Sequence, residues 1–333
     1  MTWALARRIL GRIMAEITLG IGSSHSPMLS TPHEAFAGLA DLDRARLPEF
    51  AAKARENAAW IGGELRAEVT RERHEATQAA IRQLGGVLAE EAPDVVVVIG
   101  DDQHEWFSPD NQPALCIYWG ESVENRPPPL ESVPPLRRLS YWGLYGDGTN
   151  RAFPVDAALG RHLVEALTRD FDFDVAHLRA QPPHGPFGHA WSFVHQRLMG
   201  DRVVPIVPVL LNTYYPPNQP TPRRCYQLGR AIRQAIEGWP VRKRVAVVAS
   251  GGLSHFFVDE ELDRHLLDLL AKQDGEALSA LPAAKLESGN SEIRNWIAAA
   301  GAAEHLPMHL VDYVPCYRSE AGSGVGMAFA VWQ

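Results

Sequence analysis

Val95 to Ile99 are five consecutive β-branched residues set between Pro93 and Gly100. A run of that kind is not the alternating pattern of a strand with one wet face. It reads as a strand buried on both sides, which requires helices above and below the sheet. Val203–Leu211 and Val245–Ala249 repeat the signature, and Ile17–Gly22, Ala114–Trp119 and Val325–Trp332 read as further strands. Between them lie helical stretches: 43–91, broken near Pro48 and Gly62-Gly63, then 155–169, 190–199, 223–237, 260–272 and 291–300. Strands alternating with helices predict an α/β fold, one large sheet covered by helices. About 150 residues per domain would allow two domains in a chain of this length. No linker divides it, however, and the expectation is a single domain over 14–333. The exception to regular structure is a Pro-, Gly- and Trp-rich excursion at 108–154, which includes Pro127-Pro128-Pro129. A loop that long inside a domain reads as a lid or binding loop. Residues 1–13 carry Arg7, Arg8 and Arg12 beside apolar residues without a cleavage pattern, and read as an N-terminal arm or an over-long start.

Composition narrows the function classes. The 333 residues are 46% hydrophobic and 22% charged, ordinary globular values that exclude disorder as the main state. The net charge of −8 argues against a nucleic-acid partner. No apolar run reaches the roughly 18 residues of a membrane span. Cys116, Cys225 and Cys316 are widely spaced, neither a disulfide framework nor a thiolate zinc site, and fit a cytoplasmic protein. No dinucleotide fingerprint, phosphate loop, HExxH or GxSxG is present. Gly322-Ser323-Gly324 leads into a strand rather than a helix and reads as a turn.

The chemistry is carried by histidines. Three of the thirteen stand just beyond a predicted strand: His25 after Gly22, His104 after Ile99 and His255 after Ala249. In open α/β sheets ligands bind beyond the carboxyl ends of the strands, so these three can converge on one crevice. His184 and His189, in the Pro/Gly-rich stretch before a helix, can face the same crevice. His33, His74, His162, His195, His265, His305 and His309 sit in helical or charged surroundings and read as structural or surface groups. Trp106, Trp191, Tyr214 and Tyr215 flank these segments and read as packing residues.

Five segments resemble the class III extradiol ring-cleavage dioxygenases, relatives of the catalytic β subunit of protocatechuate 4,5-dioxygenase and of the gallate and 3-O-methylgallate dioxygenases. They are GIGSSHSPML (20–29), GDDQHEWF (100–107), GHAWSFVHQRLM (188–199), ASGGLSHFF (249–257) and SEIRNWIAAAGA (291–302), and they occur in the family's order. The resemblance implies a non-haem Fe(II) held by His25, His104 and Glu292. It also implies an acid/base role for His255 and a second active-site histidine in His189. Two histidines and one carboxylate leave coordination positions open for an aromatic diol or triol and O2. A histidine titrating near neutrality can take a phenolic proton and return it. The segment Asp101-Asp102-Gln103-His104 is one residue longer than the family's usual setting for its second ligand. Asp102 and Glu105 therefore remain alternatives to His104, and Asp101 or Asp102 is also placed to orient a ligand imidazole. His184 remains an alternative to His189. A single chain of this length, without an obvious α-subunit segment, reads as working without a partner subunit or as a homo-oligomer, a dimer. Memo-type metal-binding relatives, in which Cys316 would be a conceivable ligand, and zinc-dependent relatives are the competing readings.

Overall fold

The computed structural model describes residues 14–183 and 185–333. The arm expected at 1–13 and the alternative histidine His184 lie outside the described residues. Among the described residues there are ten strands: β1 (Glu16–Ser23), β2 (Val95–Gly100), β3 (Leu115–Tyr118), β4 (Ser122–Glu124), β5 (Ala152–Pro154), β6 (Ala176–Leu178), β7 (Ile206–Leu211), β8 (Arg244–Ser250), β9 (Met308–Tyr317) and β10 (Gly324–Trp332). Eight form one sheet in the order β6-β3-β7-β2-β8-β1-β10-β9, and β4 and β5 pair separately as antiparallel strands within the excursion. The central four, β7, β2, β8 and β1, run parallel, while β3 and β10 are antiparallel to their inner neighbours.

The β-branched run behaves as its composition demands. Val95, Val97 and Ile99 enter one hydrophobic core and Val96 and Val98 the other, because successive side chains leave opposite faces of a strand. The first core is covered by the helices Ala157–Asp170, Pro222–Glu237, Glu260–Ala271 and Ile293–Ala302. The second is covered by the long helix Ala67–Glu91 and by the segment His189–Met199, whose last turn is a π-helix from Val194. This is the expected α/β architecture. The expected strand at 203–211 begins later, at Ile206, and the expected helix at 291–300 is a 3₁₀ turn, Ser288–Glu292, running into Ile293–Ala302. Cys116, Cys225 and Cys316 are free and buried. Among the described residues no helix is long and apolar enough to cross a membrane.

Two glycines set how closely the covering helices approach the strand ends. A side chain at Gly22, in β1, would run into the Trp296 ring, and a Cβ at Gly100, the last residue of β2, would lie 2.6 Å from the Ala190 Cβ. Their absence of side chains lets the helices that follow Glu292 and His189 dock directly against the carboxyl ends of β1 and β2.

Candidate active site

The parallel strands β1, β2 and β8 end side by side at Ser23, Gly100 and Ser250. The segments that leave them meet the two docked helices there, and six buried or nearly buried titratable residues come together. The His25 Nδ1 lies 3.0 Å from the Ser250 hydroxyl. That hydroxyl donates to the Ala190 carbonyl at 2.7 Å, so it accepts from the imidazole. The proton of His25 is thereby fixed on Nδ1, and Nε2 points its lone pair at Glu292 Oε2, 3.3 Å away. His255 is held in the same tautomer, its Nδ1–H donating to the Leu253 carbonyl at 3.0 Å and its Nε2 lying 3.3 Å from Glu292 Oε1. Glu105 grips His189 twice: Oε1 accepts from the backbone N–H at 2.8 Å and Oε2 from Nδ1–H at 2.9 Å. The remaining His189 Nε2 is buried, has no hydrogen-bond partner among the described residues, and lies 4.0 Å from Asp101 Oδ2.

Three imidazoles thus turn Nε2 toward carboxylate oxygens. A lone pair facing an anion is repulsive unless a proton or a cation stands between them. His25, Asp101 and His189 each offer a ligand atom, all within 4.8 Å of one another. At metal–ligand bonds of about 2.1 Å, neighbouring donors of one ion lie about 3 Å apart and opposite donors about 4.2 Å apart. The observed separations fall near that range, and the nitrogen and oxygen donor set suits a divalent first-row metal. The residues present therefore fit a metal ion, with Glu292 beside His25 as a further oxygen donor.

The electrostatics agree. Asp101 is buried, accepts from Asn295 Nδ2 at 3.4 Å and Gln103 Nε2 at 3.3 Å, and has its pKa raised by burial and by the charge of Glu292. Burial works against ionisation of Glu292 too, but His255 and His25 override it and hold this carboxyl well below the usual range. The Gly252 N–H, donated to Glu292 Oε2 at 2.6 Å, also favours the charged form. Burial alone would lower the pKa of His189; Glu105, Asp101 and Glu292 push it up to about 10. His255 is raised in the same way, chiefly by Glu292 against burial.

Of the residues the resemblance assigned, His25, Glu292, His255 and His189 are brought together, and His104 is not. His104 is exposed, adopts a left-handed backbone (φ 60°) and stacks on Tyr215 with ring centroids 3.7 Å apart and planes 11° from parallel. The loop itself explains this correction. The Asp102 carboxylate accepts from the backbone N–H groups of Trp106 (2.8 Å) and Phe107 (3.2 Å), closing the chain into a tight turn. Burial, with the charge of Glu105, pushes this carboxyl up to about 6. Within that turn the left-handed residue stays at the exposed rim, and Glu105 returns inward to His189. Neither alternative to His104 belongs to the His25–Asp101–His189 group: Asp102 caps the loop and Glu105 orients an imidazole. The carboxylate in the group is Asp101, which sequence reasoning considered only as an orienting partner. Its one available signal is its place directly after the last residue of β2.

Cys316 lies in β9 within the core, its thiol pushed up to about 12 by burial, and is not part of the cluster. Trp106 and Trp191 are packing residues as expected, their indole N–H groups donating to the carbonyls of Pro186 and Val98.

Residues 63–322 match the family model described as the catalytic LigB subunit of aromatic ring-opening dioxygenase. Curated relatives similar in sequence include the following three. A gallate dioxygenase of Pseudomonas putida is 36% identical over 159 residues, 44% of this chain and 45% of that protein. A 2,3-dihydroxyphenylpropionate/2,3-dihydroxicinnamic acid 1,2-dioxygenase of Comamonas testosteroni is 29% identical over 182 residues, covering 54% and 49%. An enzyme of the same name from a Rhodococcus species is 26% identical over 316 residues, covering 77% and 92%. The match to the first two spans about half the length of those relatives.

Proposed function

The chain belongs to the family of the catalytic LigB subunit of aromatic ring-opening dioxygenases, and from that membership we propose that it is an Fe(II)-dependent extradiol dioxygenase. Its substrate in this reading is a catechol- or gallate-type aromatic acid, gallate being the substrate in the name of the similar Pseudomonas protein. The observation that carries the reading is the inward turn of the three Nε2 atoms onto buried carboxylates, with that of His189 left unpartnered.

His25, Asp101 and His189 would hold the iron, two histidines and one carboxylate in kind but with members other than those first assigned, and Glu292 supplies the adjacent oxygen donor. Iron bound there would supply the redox centre that O2-dependent ring opening requires. The protein's own part is proton management and orientation. His255, with Nδ1–H committed to the Leu253 carbonyl, has only Nε2 free to take a phenolic proton and later return it. Glu292 Oε1 steadies the protonated imidazole at 3.3 Å. Ser250 and Glu105 keep the other two imidazoles in the tautomer that points Nε2 inward.

The test is oxygen uptake by anaerobically iron-loaded protein against catechol, protocatechuate, gallate, 3-O-methylgallate and 2,3-dihydroxyphenylpropionate. Stoichiometric uptake with a ring-opened product is expected. Iron bound without uptake on any diol would overturn the dioxygenase reading in favour of a Memo-type metal-binding protein. Zinc bound with activity indifferent to oxygen would favour the zinc-dependent alternative.

A further inference from the structure

The cluster is short of cations. Among the described residues the ion pairs of Asp101, Glu105 and Glu292 involve histidines only, and no arginine or lysine pairs with them or with Asp102. An aromatic ring bearing a carboxylate therefore meets repulsion at its inner end and needs hydrogen-bond donors at its outer end. Two unused donors stand at the same end of the sheet. His104 leaves the loop after β2, and Tyr215 leaves the loop after β7, the parallel neighbour of β2. Tyr215 is pinned by buried Asn212: its N–H donates to Asn212 Oδ1 at 3.0 Å and its carbonyl accepts from Asn212 Nδ2 at 2.7 Å. His104 is held in an uncommon left-handed conformation, the kind of local strain that persists where the surroundings enforce it. The two rings lie parallel and in contact, and their polar edges make no hydrogen bond within the described residues.

We propose that His104 and Tyr215 form the specificity-determining wall of the site, their imidazole N–H and phenol O–H binding the carboxylate of the aromatic substrate. The proposal rests on the ring-opening reading for the identity of the inner, diol end. It makes His104 a residue that touches the substrate rather than the metal. It also gives the long GDDQHE turn a purpose: one loop delivers Asp101 to the centre and a substrate-facing ring to the rim.

Anaerobic calorimetric titration of iron-loaded protein with 3,4-dihydroxybenzoate and with catechol tests the wall without turnover. Wild type is expected to bind the acid at least about tenfold more tightly, the value of one or two hydrogen bonds to a charged group. Tyr215→Phe, which keeps the stack, and His104→Gly, which accepts the left-handed backbone freely, should each erase most of that preference while keeping the iron content of wild type. Equal affinity of wild type for both diols, no binding of either, or an unchanged preference in both variants would overturn the proposal. Loss of iron in His104→Gly would overturn it differently, by placing His104 among the ligands. Oxygen uptake is measured in parallel. A wall-dependent preference without uptake on any diol supports the wall and overturns the dioxygenase reading.

Discussion

The segments that leave β1 and β8 and the loop that leaves β2 reach the same crevice and deliver different chemistry. After β1 the chain takes two residues to place His25, and after β8 it takes five to place His255; both imidazoles enter the cluster with Nδ1–H tied to a neighbour. After β2 the chain places a carboxylate, Asp101, at the first residue and leaves the histidine at the exposed rim at the fourth. The difference lies in what the loop does with its own backbone. The first two are pinned through their imidazoles, whereas the β2 loop is pinned through Asp102, which consumes the N–H groups of Trp106 and Phe107 and so decides which side chains face in. Position after a strand brings a residue to the crevice; the hydrogen bonds of the loop decide whether it enters the metal-binding cluster or stays at the rim.

The most drastic way to break this comparison is to remove the inward donors. His25→Ala and Asp101→Ala should each abolish stoichiometric iron binding, read by metal analysis after anaerobic loading, whereas His104→Ala should retain it. Retention of iron in Asp101→Ala together with its loss in His104→Ala would reverse the two roles. Next in size is Glu105, which acts through His189. Glu105→Ala frees the imidazole to rotate and change tautomer, and removal of such an orienting carboxylate lowers metal affinity by about 10–100-fold. Competition with a chelator measures it, and wild-type affinity in Glu105→Ala would show that the paired contacts to His189 position nothing.

Much of the fold was legible in the sequence because burial on both faces leaves an unmistakable trace. The run Val95–Ile99 needs no tertiary information to be read as a central strand, and its residues divide between the two cores as the strand period requires. β9 was missed because it is only partly buried along Met308–Tyr317 and carries Pro315, which erases the pattern that marks the inner strands. β4 and β5 are three residues each inside a Pro-rich excursion and leave no periodicity at all. In the site, His25, His189, His255 and Glu292 were legible as members of ordered motifs. The exchange of His104 for Asp101 was not, since it depends on a left-handed residue and a side-chain cap that spacing does not encode. The cap can be tested alone. Asp102→Ala leaves two N–H groups without their charged acceptor and should cost on the order of 2 kcal/mol in denaturant unfolding. It should also release the His104–Tyr215 stack; stability equal to wild type would mean that the turn is held by other contacts.

A smaller effect separates two histidines of one segment. His189 faces three carboxylates and its pKa is pushed up to about 10. His195, six residues on, is buried between Phe153 and Phe187, makes no hydrogen bond among the described residues, and is pushed down to about 3 by burial alone. A histidine with a depressed folded-state pKa is protonated more readily in the unfolded chain. Between its unfolded value and about 3 the unfolded state therefore binds more protons, and stability falls as pH falls through that window. From an unfolded pKa of about 6.5, this one group should remove about 1.4 kcal/mol by pH 5.5. His195→Phe, parallel to Phe153 as the imidazole is at 4.2 Å, has nothing to protonate and should flatten that part of the profile while keeping the packing. Unfolding midpoints of the two proteins between pH 7.5 and 5.5 measure the difference. Parallel curves would mean that His195 is hydrated in solution, and that the rear of this segment is as polar as the face it turns to the metal site.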